Sequence, residues 1–340
     1  MPDLAATPDR PQDRDAVLAE DAGEPSSAAR GPSAEPKTVV VILNPQSGGV
    51  ARLGDGETRG QILRAFASHG IAAEVILSRG RIIAHIAREQ IRAGGDRPTA
   101  LVAGGGDGTV RAVAQELAGS AIPLGILPLG TLNHFARDLG LPLDIAGAAA
   151  VIAAGATAAI DVAEVNGQVF VNNSSIGLYP TLVRARERQL RHSRRKKWLA
   201  MALALLQVLR RPIARRLTIE AADFVTPCRT PLAFIGNNLY DTTRPAFGRR
   251  ATLRGGELCL FVAKPRGPLG VVWLLLRAAF GRLDQARDFE QHRLESVTIH
   301  SRHRRLTIAL DGEILRLRTP LRYRIRPGAL RVLVPQEHAT

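Results

Sequence analysis

A glycine-rich turn at residues 104–109, with the sequence Gly-Gly-Gly-Asp-Gly-Thr, constrains the fold of this chain more than any other feature. It follows a short apolar run at 99–103 and precedes a helix-like stretch at 110–117. Glycines allow positive φ angles and let backbone amides approach an anion closely, and the following helix points its positive end at the same anion. The turn therefore predicts a strand–loop–helix unit that binds phosphate. In it, Asp107 would hold or orient the Mg²⁺ of a nucleotide, and Thr109 would donate to a phosphate or cap the helix.

Two more glycine-containing turns come directly after predicted strands. Residues 44–49 (Asn-Pro-Gln-Ser-Gly-Gly) follow the apolar run 38–43, and residues 128–131 (Pro-Leu-Gly-Thr) follow a strand at 122–127. Helix-like segments alternate with these strands, which predicts βαβ units around a parallel sheet. Ligands of such sheets bind at the carboxyl ends of the strands, so we expect the three turns along one edge.

Beyond about residue 158, short alternating segments predict an antiparallel, β-rich domain. A helical insert at about 182–211 and a second helix at about 268–280 interrupt it. The last strand, at about 329–334, could return to the first domain. The predicted organisation is a tail at 1–36, an α/β domain at 38–157, a β-rich domain at 158–320 and a C-terminal segment at 321–340. The predicted strands of the second domain cover 168–172, 216–219, 232–235, 257–262, 296–300, 306–310, 314–318 and 322–325.

Charge is distributed unevenly along the chain. The formal net charge is +15, yet residues 1–36 hold eight acids, three bases and six prolines, a composition typical of a disordered acidic tail. The rest therefore carries +20 and should attract nucleic acid, acidic lipid headgroups or nucleotides. An arginine-rich background composition would explain the same charge. Because only 4% of residues are aromatic and no nucleic-acid-binding module is recognised, nucleic acid is not expected as a partner.

A basic segment beside an apolar run is a candidate membrane contact. Residues 186–197 hold seven bases and one acid and lead into the apolar stretch 198–209. This arrangement suits an anionic membrane surface, but as a helix the apolar stretch spans only about 18 Å, too short to cross a bilayer. A buried helix with solvated flanks would give the same pattern, and both interpretations stay open. The predicted docking residues are Arg194, Arg195, Lys196, Lys197 and Trp198.

Taken together, the three turns resemble a known family. No Gly-Lys-Ser/Thr follows the 104–109 turn, so it is not a Walker A loop. It resembles the nucleotide loop of the superfamily that joins diacylglycerol kinases, sphingosine kinases, NAD kinases and phosphofructokinases. Residues 44–49 are similar to the Asn-Pro-x-Ser-Gly signature of the diacylglycerol and sphingosine lipid kinases. Residues 128–137 (Pro-Leu-Gly-Thr-Leu-Asn-His-Phe-Ala-Arg) are similar to their Pro-x-Gly-Thr-x-Asn-Asp-Phe-Ala-Arg, and NAD kinases lack both segments.

The resemblance implies an α/β fold, with an N-terminal three-layer nucleotide-binding domain of the NAD kinase/diacylglycerol kinase type, a C-terminal β-sandwich-like domain and an active site between them. It implies ATP and Mg²⁺ as cofactors and a lipid at an anionic membrane surface as the substrate. Diacylglycerol is the default acceptor; sphingoid bases, other glycerolipids and undecaprenol-like alcohols stay open. The residues implied to bind ATP are Asn44, Ser47, Gly48, Gly105, Gly106, Gly108, Thr109, Gly130, Thr131 and Asn133.

The Asp-Gly pair at 311–312 predicts a hairpin turn between strands 306–310 and 314–318. By pattern alone it indicates nothing more. In the lipid kinases, an Asp-Gly-Glu at this point returns to the interdomain cleft. The resemblance therefore implies that Asp311 helps to place Mg-ATP and that Glu313 accepts the proton of the attacking lipid hydroxyl.

Three positions depart from the family pattern. His134 stands where the family usually has Asp, and Arg111 stands where Asn often follows the nucleotide loop. Gly255 stands where many bacterial members have an Asp that ligates a structural metal. Because both acids linked to that metal are missing, we expect no structural Mg²⁺. Activity is still expected, because the turns at 44–49, 105–109 and 311–313 are intact.

Two other functions stay open: a kinase of a soluble metabolite such as NAD, and a catalytically inactive regulator that binds nucleotide or lipid. The two cysteines, Cys228 and Cys259, lack metal-binding or disulfide spacing, which makes a reducing compartment the default. No signal peptide is recognised. We therefore predict a cytoplasmic protein that associates peripherally with membranes, with a homodimer left open.

Overall fold

The computed structural model describes residues 38–93, 98–177, 215–240, 250, 252–264, 270 and 288–339. Strands and helices alternate in the first part of the chain, as the sequence predicts. The elements are β1 (Thr38–Leu43), α1 (Val50–Leu53), α2 (Asp55–Ala67), β2 (Ala72–Leu77), α3 (Ile82–Arg92), β3 (Ala100–Gly105), α4 (Asp107–Leu117), β4 (Leu124–Pro128), α5 (His134–Asp138) and α6 (Ile145–Ala154).

Three layers form because successive side chains of a strand point to opposite faces of the sheet. On one face, Val40 and Ile42 of β1 pack with side chains of α3 and α4. On the other face, Val39 and Val41 pack with side chains of α2 and α6. Burial on both faces explains why β1 reads as a continuous apolar run rather than an alternating one.

Strands dominate the second part of the chain. They are β5 (Thr157–Val165), β6 (Gln168–Phe170), β7 (Asn173–Gly177), β8 (Arg215–Glu220), β9 (Val225–Thr230), β10 (Leu232–Asn237), β11 (Leu258–Ala263), β12 (Phe289–Leu294), β13 (Ser296–Ser301), β14 (Arg305–Leu310), β15 (Glu313–Arg318) and β16 (Leu321–Leu333). Among the described residues they form two sheets, and the larger sheet continues from the parallel strands.

The larger sheet has ten strands within the described ranges, in the order β2-β1-β3-β4-β16-β13-β8-β9, with β5 paired to β16 and β6 paired to β5. The long strand β16 connects its two halves. Its C-terminal end pairs in parallel with β4, through Val332 and Leu124, while most of its length pairs antiparallel with β5. The register shifts between Arg326 and Leu330, next to Gly328 at φ 58°. This irregularity lets one strand serve both the parallel and the antiparallel region.

The smaller sheet packs against the antiparallel half of the larger one. Its order over the described strands is β12-β11-β10-β7-β14-β15. Ile235 and Ile308 from this sheet share a buried core with Leu217, Ile299 and Tyr323 from the larger sheet. The predicted fold class, a parallel α/β domain followed by a β-sandwich-like domain, is confirmed.

Several sequence predictions fall outside the described residues. They are the tail at 1–36, the helical insert at 182–211 and most of the predicted helix at 268–280. Within the described residues, no helix is both long enough and apolar enough to span a membrane.

Candidate active site

The three glycine-containing turns lie side by side, because the strands before them are neighbours in register. In the parallel pairing of β1 with β3, Leu43 lies opposite Gly104. In the pairing of β3 with β4, Gly105 lies opposite Pro128. All three strands therefore end at the same edge, where the sequence predicted the phosphate site.

Glycine is required where these turns touch. A Cβ atom on Gly130 would lie 2.4 Å from the Cα of Gly106, and a Cβ on Gly105 would lie 2.4 Å from the Thr109 hydroxyl oxygen. A Cβ on Gly48 would lie 3.0 Å from the hydroxyl oxygen of Thr131. The turns at 44–49, 104–109 and 128–131 thus form one surface of closely spaced backbone.

Three predicted nucleotide-binding side chains hold these turns in place. The Asn44 amide donates to the hydroxyl of Thr109 at 3.0 Å and accepts from the backbone N–H of Gln46 at 3.0 Å. Asn133 adopts a left-handed conformation with φ 50°. Its side chain accepts from the N–H of Gly130 at 2.9 Å and donates to the carbonyl of Pro128 at 2.8 Å. In these contacts, Asn44, Thr109 and Asn133 order the loops that would bind the nucleotide.

Ser47 differs from these three residues. Its side chain is buried, yet its hydroxyl has no hydrogen-bond partner in the described part of the chain. A buried polar group without a partner is costly, which suits a site where a ligand supplies one. A phosphate oxygen between the 44–49 and 104–109 turns would satisfy this hydroxyl.

Asp107, the first residue of α4, connects the nucleotide loop to the next helix. Its carboxylate accepts from the backbone N–H of His134 at 3.3 Å and of Phe135 at 3.1 Å, at the start of α5. It also accepts from the side-chain amide of Asn172 at 3.3 Å. Only one of these donors, the N–H of His134, contacts Oδ2, so this oxygen retains lone pairs for a cation.

The hairpin turn predicted at 311–312 is confirmed. Leu310 pairs with Glu313 across β14 and β15, and the two turn residues have φ angles of 46° and 85°. The Asp311 carboxylate accepts three backbone N–H groups: that of Val171 at 2.8 Å, that of Asn172 at 2.8 Å and that of Asn173 at 2.9 Å. The strand predicted at 168–172 therefore ends at Phe170 as β6, because the amides of Val171 and Asn172 point at Asp311 instead of at a neighbouring strand. A strand that was not predicted, β7, begins at Asn173.

Burial raises the pKa of Asp311 to about 6, while the three amides and the nearby Arg111 guanidinium act in the opposite direction. The carboxylate is therefore mostly ionised at neutral pH and can accept all three N–H groups. Since both of its oxygens are occupied by the backbone, the contacts of Asp311 favour a positioning role for the turn. A direct contact between Asp311 and Mg-ATP stays a prediction.

Glu313, the predicted base, reaches the nucleotide loop. A Cβ on Gly108 would lie 2.7 Å from the Glu313 carboxylate oxygen, so glycine is needed for this approach. The Glu313 carboxylate is about half exposed and forms an ion pair with Arg111 of α4. Arg111 and Glu313, 202 positions apart in the sequence, therefore meet at the edge of the sheet. Arg111, one of the departures from the family pattern, contacts the predicted base directly.

Sequence reasoning missed Arg250 and Asn172, which connect this site to the second sheet. The Arg250 side chain is fully enclosed and pairs with Asp138 of α5 at 2.7 Å. It also donates to the Asn172 side-chain oxygen at 3.0 Å, and its guanidinium lies over the ring of Phe135 at 5.7 Å. The Asn172 amide thus links Arg250 to Asp107. No local motif marks either residue, because every partner is distant in sequence.

The remaining predictions concern the metal site at Gly255 and the docking residues. The N–H of Gly255 donates to the side-chain oxygen of Asn238 at 2.8 Å, and the N–H of Gly256 donates to Asp161 at 2.7 Å. Across the described ranges, no three His, Cys, Asp or Glu side chains are grouped so that they could hold a metal ion. The predicted docking residues 194–198 lie outside the described residues.

Comparisons with known proteins agree with this geometry. The parallel sheet, its glycine turns and the returning Asp-Gly-Glu hairpin define a diacylglycerol-kinase-type catalytic fold, and the family "Diacylglycerol kinase catalytic domain" matches residues 38–165. More particularly, the chain belongs to the YegS-like lipid kinase family. A relative in Pseudomonas fluorescens described as a probable YegS-like lipid kinase is 36% identical over 253 residues, which cover 70% of this chain and 78% of the relative.

A Pseudomonas aeruginosa relative with the same description is 35% identical over 242 residues, covering 69% of this chain and 76% of that protein. The crystal structure of a diacylglycerol kinase from Bacillus anthracis aligns with a TM-score of 0.63 at 21% identity. That alignment covers 89% of this chain and 99% of the other. It supports the fold, and the sequence relatives support the family.

The contact between Gly106 and Gly130 leads to a first prediction. Replacing Gly130 with alanine is expected to lower the free energy of unfolding by about 1–3 kcal/mol, because the added Cβ meets backbone that no rotamer change can move. We also expect weaker ATP binding, since the two turns must separate. Thermal unfolding and calorimetric ATP titration would measure both effects.

Gly56→Ala provides the matched control. Gly56 lies in α2 and an added Cβ there meets no atom within 4 Å. This variant should be neutral or slightly more stable, because alanine adopts the helical conformation at a smaller entropic cost than glycine. If Gly130→Ala behaved like Gly56→Ala in both measurements, the contact between the turns would be of no consequence.

Proposed function

We propose that this protein transfers the γ-phosphate of ATP to a hydroxyl group of a lipid, at the edge of the sheet where the three turns meet Glu313. The approach of the Glu313 carboxylate to Gly108 carries this proposal. This approach places a carboxylate, which can accept a proton, beside the 104–109 turn, which is the loop best suited to hold phosphates. Membership of a lipid kinase family supports the choice of a lipid as acceptor.

The residues present fit a magnesium-bound nucleotide. Ser47, with its buried unpartnered hydroxyl, and the backbone of Gly48, Gly105 and Gly106 would hold the phosphates, assisted by the N-terminus of α4. Asp107 would hold Mg²⁺ through its less occupied oxygen. When bound, Mg²⁺ would neutralise charge on the phosphate oxygens.

The side chains of the site would divide the transfer between them. Glu313 accepts the proton of the lipid hydroxyl while the hydroxyl oxygen forms a bond to the γ-phosphorus of ATP. The bond between this phosphorus and the oxygen that bridges it to the β-phosphate breaks. The products are ADP and a phosphorylated lipid. For this step the carboxylate must be free to accept a proton, so Arg111 has to give up part of its ion pair. Arg111 then stands beside the reacting groups, where its positive charge would favour the transition state. Asp311 keeps the hairpin turn in position throughout.

The lipid acceptor would be met at a membrane surface. The segment 194–198, with its four consecutive bases and Trp198, stays our prediction for one contact with anionic lipid. Diacylglycerol is the first acceptor to consider, because the catalytic domain family carries its name. Peripheral association of the protein with membranes is part of this proposal.

Transfer of labelled phosphate from ATP would test the proposal. Diacylglycerol, sphingosine and an undecaprenol-like alcohol would be offered in mixed micelles, with NAD in solution as a separate acceptor. We expect labelled product in the organic phase with at least one lipid. Labelled NADP alone would indicate a soluble-metabolite kinase. ATP binding without transfer to any acceptor would indicate a regulator instead.

A further inference from the structure

We propose that a cluster of exposed arginines, at the far end of the β14–β15 hairpin from Glu313, docks the protein on an anionic lipid surface. The cluster, here called the arginine surface, consists of Arg216, Arg229, Arg302, Arg304, Arg305 and Arg318. The choice of lipid over other polyanions rests on the proposed function. The anion-binding character of the surface does not depend on it.

Two pairs of these arginines face each other directly across strands. Arg216 lies opposite Arg229 in the antiparallel pair β8–β9, and Arg305 lies opposite Arg318 in the pair β14–β15. All four are exposed, while the following residue on β14, Leu306, is buried. Like charges directly opposite on neighbouring strands destabilise a sheet. A bound anion between the guanidinium groups would remove that repulsion.

The described part of the chain supplies no acid that neutralises this charge. None of the six guanidinium groups forms an ion pair with a described Asp or Glu. Glu220, on β8, instead contacts His300 at 2.6 Å. By contrast, Arg324 and Arg326 on β16 both pair with Glu164. Arg215, Arg322 and Arg331 likewise form no ion pair with a described acid. The arginine surface is therefore distinguished by the grouping of six such arginines around two adjoining cavities.

The two arginine pairs lie at the same end of the sandwich. A cavity of about 590 Å³ is lined by Arg216, Arg229 and Arg302, and a second of about 550 Å³ by Arg302, Arg304, Arg305 and Arg318. The two cavities share Ser301, the last residue of β13, and Arg302, in the connection to β14. Because Leu217 and Leu306 face the core, Arg216 and Arg305 lie on the outer faces of the two sheets, with the arginines of the connection between them. Several phosphate groups could therefore bind along this end of the sandwich.

The position and composition of the arginine surface favour membrane lipid. Neither cavity is lined by Phe, Tyr or Trp, on which the bases of single-stranded nucleic acid would stack. Each strand of the hairpin has six residues, so the surface lies about 17 Å from the Asp311–Glu313 turn. At that distance the arginines would recruit the protein to anionic headgroups without touching the reacting hydroxyl.

Vesicle binding tests this inference. Purified protein would be sedimented with vesicles of phosphatidylcholine, alone or mixed with phosphatidylglycerol. We expect binding only to the anionic vesicles, weakening as salt is raised. Reversing two charges in R302E/R305E should lower the partition constant by more than about tenfold, since each basic residue near such a surface contributes roughly fivefold.

The control R59E/R92E makes the same change in net charge at exposed positions of α2 and α3. It should reduce binding far less, and circular dichroism would show that both variants are folded. Equal loss in the two variants would overturn the proposal, because net charge alone would then explain binding. Unchanged vesicle binding in R302E/R305E would overturn it too. So would a result in which R302E/R305E lost binding to duplex DNA but kept its binding to vesicles.

Kinase assays separate this proposal from the proposed function. R302E/R305E should phosphorylate a short-chain lipid dispersed as monomers at the wild-type rate, yet phosphorylate the same headgroup in anionic vesicles more slowly. If no lipid were phosphorylated by the wild-type protein, vesicle binding would still decide whether the arginine surface docks on lipid. Equal slowing with monomeric and vesicular lipid would contradict a recruiting role.

Discussion

Replacing Glu313 with glutamine is expected to lower kcat for phosphate transfer by about 10²–10⁴-fold, the range typical of losing a general base. Glutamine has nearly the same size, so the approach to Gly108 should persist, but its amide cannot accept the proton of the lipid hydroxyl. The affinity for ATP should change by less than about threefold, because Glu313 is not among the residues proposed to hold the phosphates. Initial rates at saturating lipid and calorimetric titration with ATP would give both quantities.

Two further variants make this result specific to the base. Glu295→Gln removes an equally charged, exposed acid between β12 and β13 and should leave kcat unchanged. Arg111→Met removes the ion pair of Glu313 but keeps the carboxylate. If the loss in Glu313→Gln came only from breaking the ion pair with Arg111, the two variants would lose activity equally. A kcat for Glu313→Gln within about threefold of wild type would falsify the assignment of Glu313 as the base.

Much of the fold could be predicted because buried strands carry their own signal. Strand β1 was predicted with its observed bounds, and the strands at 232–235 and 306–310 were predicted within two residues. Strands β5, β7, β9 and β12 were missed. Of these, β9 and β12 lie at the edges of their sheets, and most of their residues are exposed or half-buried, so neither shows apolar alternation. The alanine-rich helix α6 was missed as well, because its sequence is apolar on every side and has no helical period.

The candidate site was predictable to the extent that it is local. Glycines followed by Asp or Thr mark the phosphate turns within a few residues, and the family resemblance joined them to Glu313. The contacts of Arg111 and Asp311 could not be predicted from local motifs or from the family resemblance. They depend on how α4 meets the β14–β15 hairpin, about 200 residues away in sequence, and on backbone amides at 171–173 that leave the ladder to bind one carboxylate.

Arg250 gives the second large prediction. Replacing it with methionine is expected to lower the free energy of unfolding by about 3–5 kcal/mol, because the carboxylate of Asp138, which is only 11% exposed, loses its partner. Methionine can fill part of the space but donates no hydrogen bond to Asn172. The Asn172 amide, which also contacts Asp107, would then be free to turn. We therefore expect a lower kcat as well, even at temperatures where the variant is folded.

Urea denaturation would measure the loss of stability, with Arg88→Met as the matched control. Arg88 makes a comparable ion pair with Glu116, at 2.8 Å, but its side chain is half exposed and solvent screens the pair. That variant should unfold close to the wild-type midpoint.

The double variant R250M/D138N removes the unpaired charge of Asp138 and should recover part of the stability lost in R250M. A midpoint for R250M as close to wild type as that of Arg88→Met would show that the enclosed guanidinium does not hold α5 to the second sheet. A double variant no more stable than R250M would place the loss in the contacts with Asn172 and Val171 rather than in the ion pair.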